Sequence, residues 1–171
     1  MKETIYLAGG CFWGCEKFFE QFDGILETEC GYANGPTDHV TYEEVCRDSG
    51  HAECVRITFD PEMISLRKIL DLYFLVIDPV SVNRQGHDCG IQYRTGIYYT
   101  DEEQRDTARE KLSEVERELG QRPAVELERL DVFCPAEEYH QKYLDKNPGG
   151  YCHIPSALIN MNRPRNVNEH I

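Results

Sequence analysis

Long hydrophobic runs and clusters of positive charge are missing from this sequence of 171 residues. No apolar run approaches the length that a membrane-spanning helix needs. The formal net charge of −13 at pH 7, with lysines and arginines scattered, predicts a surface that repels nucleic acid and anionic membranes. The start, MKETIYLAGG, is too short and too polar for a signal peptide. We therefore expect a cytoplasmic protein with neither nucleic-acid nor membrane partners.

Internal repeats, low-complexity tracts and linkers are also absent before the C-terminus. A chain of this length can bury a sizeable core on its own. We expect one monomeric domain over residues 1–171, with a regular core at about 4–147 and an irregular tail at 148–171.

Hydrophobic periodicity predicts alternating strands and helices. Strands are expected at 4–8, 25–33, 51–59, 92–100 and 124–130, and helices at 11–22, from 41, 65–77, from 101 and 136–147. Thr100 with Glu103 is expected to cap the helix from 101. The buried stripe of that helix should be Ala108, Leu112, Val115 and Leu119. This order predicts an α+β two-layer sandwich with a ferredoxin-like (split βαβ), mainly antiparallel core.

The chain has eight cysteines but no Cys-x-x-Cys pair. A core-forming chain without an export signal needs no disulfide framework. A structural zinc site is not favoured, because Cys11 and Cys15 stand four apart and no second tight pair supports them. Most of the remaining cysteines are expected to be buried or incidental small apolar residues: Cys30, Cys46, Cys54, Cys89 and Cys134.

Cys11 stands in the stretch GGCFWG, between a predicted strand and a predicted helix. The glycines allow a tight turn and a close approach of a ligand to the backbone. A thiol at a helix N-terminus is expected to have a lowered pKa and thiolate character. Phe12 and Trp13 could wall an apolar pocket beside the sulfur. The alternative is a buried cysteine among core aromatics on a structural helix.

Glu53 begins a strand and shares its face with apolar residues. Desolvation there should raise the pKa of the carboxyl and favour its neutral, proton-donating form. An edge carboxylate in a salt bridge is the alternative. His51, on the same face, is expected to be a hydrogen-bonded structural histidine. Cys152, in NPGGYCHIP, lies on a Pro/Gly-flanked stretch from which it could reach an oxidised cysteine and resolve it.

Seven stretches together resemble the peptide methionine sulfoxide reductase family of the A type: GGCFWGCEKFF, GYANG, TYEEV, GHAE, GHDCGIQYR, PAEEYHQKYL and NPGGYCHI. The resemblance covers residues 4–154 and implies roles for the matching positions. Cys11 matches the nucleophile and Glu53 the residue that protonates the sulfoxide oxygen. The residues implied to assist them are Phe12 and Trp13 in the methyl pocket, Tyr42 and Tyr93 as hydrogen-bond donors to that oxygen, the neighbouring Asp88, and Cys152 as resolving cysteine.

The implied reaction is reduction of methionine-S-sulfoxide, free or protein-bound, by attack of the Cys11 thiolate. The sulfenic acid would then condense with Cys152, and thioredoxin or a similar dithiol would reduce the disulfide. No metal, flavin or nicotinamide cofactor is expected. Two departures, Cys15 and Cys89, could compete with Cys152 as the resolving thiol. A thiol peroxidase or disulfide oxidoreductase, or a metal- or redox-sensing binding protein, remains the alternative.

Overall fold

A computed structural model describes residues 1–150 and 152–161. Its strands are β1 (Glu3–Gly9), β2 (Ile25–Ala33), β3 (Ala52–Phe59), β4 (Arg84–Gln85), β5 (Asp88–Cys89), β6 (Thr95–Tyr99), β7 (Glu126–Arg129) and β8 (Phe133–Pro135). Its helices are α1 (Phe12–Glu20), α2 (Tyr42–Cys46), α3 (Leu66–Val76), α4 (Glu102–Leu119), α5 (Tyr143–Lys146) and α6 (Ser156–Ile159). None of the helices in this described part of the chain is long and apolar enough to cross a membrane.

Six strands form one sheet in the order β7-β6-β1-β3-β2-β8, and β4 pairs with β5 separately. All neighbours in the large sheet are antiparallel except β6 and β7. The predicted α+β class with a mainly antiparallel sheet is therefore confirmed. β3 lies at the centre, paired along its length with β1 and β2. The start of β3 and the ends of β1 and β2 lie side by side at one end of the sheet.

One large hydrophobic cluster lies between the sheet and helices α1 and α3. Alternation along β3 directs Val55, Ile57 and Phe59 into this cluster, as their spacing predicts. Phe18 and Phe19 of α1 are fully buried there. Burial of such side chains fixes α1 and β3 relative to each other, and both elements carry candidate site residues.

The segment 136–147, predicted as one helix, is instead two short pieces. A 3-10 turn covers Glu138–His140, and α5 begins after Lys142, whose φ is 54°. A left-handed residue interrupts a right-handed helix, and the buried Glu16 carboxylate holds it by accepting from its backbone N–H at 2.6 Å. Tertiary contacts thus override the local helical pattern.

Other element boundaries differ in small ways. β6 is shorter than the predicted 92–100 because Ile91–Tyr93 forms a 3-10 turn. Asp101, rather than Thr100, caps α4, and its side chain accepts from the Gln104 backbone N–H at 2.9 Å.

The stripe predicted for α4 is partly wrong. Leu119, at the last helical position, is 42% exposed, whereas Ala108 and Val115 are buried as expected. Lys111 is 8% exposed and covers part of that face, and its ammonium lies 2.8 Å from Asp71. The tail predicted to be irregular contains α6, while residues 151 and 162–171 of it lie outside the described residues.

Candidate active site

Cys11 is the N-cap residue of α1, as GGCFWG predicts. Gly10 before it has a φ of 86°, and a Cβ built there would lie 2.7 Å from Cβ of Gln85. A glycine is therefore required for the turn from β1 into α1. The turn places the Cys11 thiol in a buried position, with 7% of the residue exposed.

The expectation of a lowered pKa for Cys11 is wrong in this structure. Burial raises the pKa of the Cys11 thiol well above its ordinary value, and the charge of Glu53 adds to the rise. The backbone N–H of Trp13 opposes this rise only in part, and the thiol makes no capping hydrogen bond. The helix N-terminus is thus outweighed by desolvation, and the thiol is protonated at neutral pH before substrate binds.

Glu53 lies 2% exposed at the start of β3, and its Oε1 accepts from the Phe12 backbone N–H at 3.3 Å. Burial raises the pKa of Glu53 to about 8, with a smaller rise from the charge of Asp88. The predicted direction is confirmed. The salt-bridge alternative is not, because Glu53 makes no ion pair within residues 1–150 and 152–161. At pH 7 the carboxyl is mostly protonated.

Tyr42, Tyr93 and Asp88 come from three different elements around this carboxyl. Tyr42 is the first residue of α2, directly after Thr41, which forms the predicted capping box with Glu44. Tyr93 ends the 3-10 turn, and Asp88 lies in β5. Burial raises the pKa of both tyrosines, and the charges of Glu53 and Cys11 raise them further. The charge of Asp88 acts on Tyr93, Glu53 and Cys11. The five predicted residues therefore lie close enough for their charges to shift one another's pKa values: Cys11, Tyr42, Glu53, Asp88 and Tyr93.

Phe12 and Trp13 form an aromatic wall next to Cys11. The Phe12 ring is buried, 5.7 Å from the ring of Tyr32. The Trp13 indole stacks on Tyr143 with ring centroids 3.7 Å apart. Its Nε1–H donates to Nδ1 of His140 at 3.0 Å. The wall predicted from two residues thus depends on a second layer from the segment that carries α5.

His140 is the functional neighbour that the sequence pattern did not identify. It is 1% exposed, and its ring lies 4.5 Å from that of Tyr42 and 5.2 Å from that of Phe12, centroid to centroid. Burial lowers the pKa of His140, so the ring is neutral at pH 7. Because Nδ1 accepts from Trp13, the remaining proton is on Nε2. PAEEYHQKYL contains His140, but no local spacing connects it with Trp13.

Cys152 lies half-buried against the first turn of α1. Its Sγ and Ile154 exchange two hydrogen bonds of 3.4 Å, one to the backbone oxygen and one from the N–H. Cys15 is buried, with its thiol donating to the Gly9 carbonyl at 3.3 Å. Cys30, Cys54 and Cys134 are buried, whereas Cys46 and Cys89 are exposed.

His51 has the structural role that was expected. Its Nε2 donates to the Thr37 carbonyl at 2.7 Å, and its Nδ1 lies 3.0 Å from the Ser49 hydroxyl. The ring also fills the space beside Gly35. His51 therefore fixes the loop that leads to α2 and Tyr42.

A family model described as peptide methionine sulfoxide reductase matches residues 3–170. A relative from Lachnoclostridium phytofermentans, peptide methionine sulfoxide reductase MsrA, is 56% identical over 155 residues, covering 90% of this chain and 93% of its own. The reduced form of Mxr1 from Saccharomyces cerevisiae has a TM-score of 0.83 at 38% identity, with 88% of each chain covered. Mxr1 in complex with Trx2 has a TM-score of 0.58 at 25% identity, covering 83% and 84%.

The chain belongs to the peptide methionine sulfoxide reductase A family. It is accordingly an enzyme, a peptide-methionine (S)-S-oxide reductase, and the resemblance drawn from seven short stretches is confirmed. The matched region also extends through residues 155–170, which those stretches did not reach. Because the chain belongs to this family, it is neither of the alternatives, a thiol peroxidase or disulfide oxidoreductase and a metal- or redox-sensing binding protein.

Proposed function

We propose that this reductase acts on methionine-S-sulfoxide, free or in proteins, with Cys11 as nucleophile and Glu53 as acid. The observation that carries the proposal is a mostly protonated carboxyl on β3 that binds the start of α1, where the buried Cys11 thiol caps the helix. Glu53 accepts from the N–H of Phe12, the residue next to Cys11. The sulfoxide methyl would lie against Phe12 and Trp13, which form the apolar wall of the site.

Glu53 gives its proton to the sulfoxide oxygen, which makes the sulfur electrophilic. Tyr42 and Tyr93 donate hydrogen bonds to the same oxygen, and their raised pKa values keep both hydroxyls protonated. As the Cys11 sulfur attacks, its proton passes to the carboxylate that Glu53 has become. The oxygen moves to Cys11, so that thiol and sulfoxide become sulfenic acid and methionine. This exchange needs no preformed thiolate, in contrast to the sequence-based expectation.

Recycling uses the second thiol. The Cys152 sulfur attacks the sulfenic sulfur of Cys11, water leaves, and a disulfide forms. A thioredoxin-type dithiol then reduces the disulfide by exchange. The complex of Mxr1 with Trx2 supports a partner of this kind for a related protein. We propose no bound metal, flavin or nicotinamide, because every electron in this cycle comes from thiols.

The net charge and the order of the strands support the remaining assignments. We infer that residues 1–171 act as one monomeric catalytic domain in the cytoplasm, without nucleic-acid or membrane partners, as the charge of −13 supports. We also infer a ferredoxin-like, split βαβ core. The order β6-β1-β3-β2, with α1 connecting β1 to β2 across β3, supports this arrangement.

The proposal is tested by supplying each epimer of a methionine sulfoxide, free and within a peptide, with thioredoxin as reductant. Turnover of the S epimer alone is the expected result. Reduction of the R epimer at an equal rate, or reduction of neither, would contradict the assignment. Comparison of the free and peptide substrates gives the preferred form.

A further inference from the structure

Gly14 is the third residue of α1, in the first turn of the helix, and glycine has a lower helix propensity than alanine. Its φ is not in the left-handed region, so the backbone itself does not demand glycine there. A Cβ built on Gly14 would lie 2.7 Å from Sγ of Cys152, which is closer than real Cβ contacts come. The side chain that glycine lacks has its space taken by the Cys152 thiol.

Ile154 completes the contact. Its Cδ1 and Cγ1 lie 3.3 and 3.5 Å from the same Cβ position, and the residue is 3% exposed. The Cys152 sulfur is tied to Ile154 by its two hydrogen bonds, so both side chains dock on Gly14 as a unit. The bare backbone of Gly14 is therefore a seat for residues 152–154.

We propose that Gly14 is a positioning residue for disulfide formation, holding Cys152 beside Cys11 so that the sulfenic acid is resolved quickly. Positions three apart on a helix are neighbours, with Cβ atoms about 5–6 Å apart. Cys11 caps the helix in which Gly14 is the third residue. A thiol docked on Gly14 therefore lies within one helical turn of the residue that caps α1, and a disulfide, with Cβ atoms about 3.8 Å apart, requires the segment to shift toward Cys11.

The proposal deepens the recycling step and rests on the proposed function. The bond formed joins sulfur of Cys11 to sulfur of Cys152, the sulfenic S–O bond breaks, and water carries away the oxygen. No other reactant is needed. Without the seat, Cys152 would sample more positions and its effective concentration at Cys11 would fall.

Gly14→Ala is the direct test, because alanine favours the helix and should leave the fold intact while its methyl displaces Cys152. Gly149→Ala is the matched control, since a Cβ there meets nothing within 4 Å. Ile154→Ala is a second variant, which weakens the contact of residues 152–154 with Gly14 and changes no residue of α1. Each reduced protein is mixed with excess S-sulfoxide in the absence of thioredoxin, then quenched at intervals.

Methionine release, dimedone-trapped sulfenic acid on Cys11 and the Cys11–Cys152 disulfide are measured in each sample. Tryptic cleavage after Lys146 gives a peptide that carries Cys152 as its one cysteine, while Cys11 and Cys15 share the peptide 3–17, so fragmentation between these two cysteines assigns the disulfide. In Gly14→Ala we expect wild-type methionine release in the first turnover, with disulfide formation slowed about 10- to 100-fold and sulfenic acid accumulating. Ile154→Ala should show a smaller slowing, and Gly149→Ala none.

Equal rates of disulfide formation in Gly14→Ala and wild type would overturn the seat while leaving the reductase mechanism intact. A loss of first-turnover methionine in Gly14→Ala would also overturn it, since Gly14 would then act on Cys11 instead. If wild-type protein released no methionine, or formed no Cys11–Cys152 disulfide, the proposed function itself would fail.

Discussion

The two thiols of the proposed cycle are held by different kinds of structure. Cys11 stands on the turn between β1 and α1, opposite Glu53 on the central strand β3, which is paired on both sides. Cys152 belongs to no helix or strand, and α1 holds it through contacts at Gly14. Oxygen transfer needs fixed positions for thiol and acid, whereas resolution needs a thiol that approaches a fixed partner. The fold meets each need with a different degree of constraint.

Removal of the fixed thiol should have the largest effect. Cys11→Ser should abolish methionine formation in both single and multiple turnovers, because the Cys11 thiol caps α1 directly before Phe12, whose N–H binds Glu53. The measurement is methionine released per enzyme, with circular dichroism to confirm the fold. Cys89→Ser, at an exposed thiol, is the control and should keep full activity. Substantial single-turnover activity in Cys11→Ser would remove Cys11 from its role.

Replacement of Cys152 should separate the oxygen-transfer step from the recycling step. Cys152→Ser should release one methionine per enzyme at the normal rate and then fail to turn over with thioredoxin. Disulfide mapping of oxidised wild type checks the partner of Cys11. A Cys11–Cys15 or Cys11–Cys89 bond, with Cys152 left as a free thiol, would contradict this prediction.

Replacement of the acid should slow the chemical step without stopping it. Glu53→Gln keeps the shape and the acceptor for the Phe12 N–H but has no transferable proton, so first-turnover release should fall by about two to four orders of magnitude. Glu27→Gln, an exposed change on β2, is the matched control. An unchanged first-turnover rate in Glu53→Gln would make Glu53 structural.

The smallest effect is expected at His140. His140→Leu removes the acceptor for the Trp13 indole and leaves a partly buried N–H unsatisfied, a loss of about 1 kcal/mol in a part of the site that binds substrate. We expect kcat/KM to fall about tenfold, mainly through KM, with the disulfide step unchanged. His140→Asn, whose side-chain oxygen can replace Nδ1 as acceptor, should recover most of the lost kcat/KM. Equal losses in both variants would point to packing instead.

Local patterns predicted much of this structure because their causes are local. Alternation along β3 and the capping box at Thr41 follow from neighbouring residues, and Glu53 owes its raised pKa to the face on which it lies. The Cys11 pKa was predicted in the wrong direction, because the depth of burial depends on packing that no short window contains. The hydrogen bond from Trp13 to His140 spans 127 residues, and the left-handed Lys142 is held by Glu16, which is 126 residues away in sequence.

The pH dependence of first-turnover methionine release tests the central claim most directly, that the reaction starts from a neutral thiol and a protonated Glu53. The pKa of Glu53 is about 8, so its active, protonated form is present below that pH and lost above it. Measured in Cys152→Ser, to isolate the chemical step, the rate should be level below pH 7 and fall as pH rises through about 8. Glu53→Gln should lose this fall. A rate that instead rises through pH 8 in Cys152→Ser would show that a preformed thiolate limits the reaction, and would contradict the account.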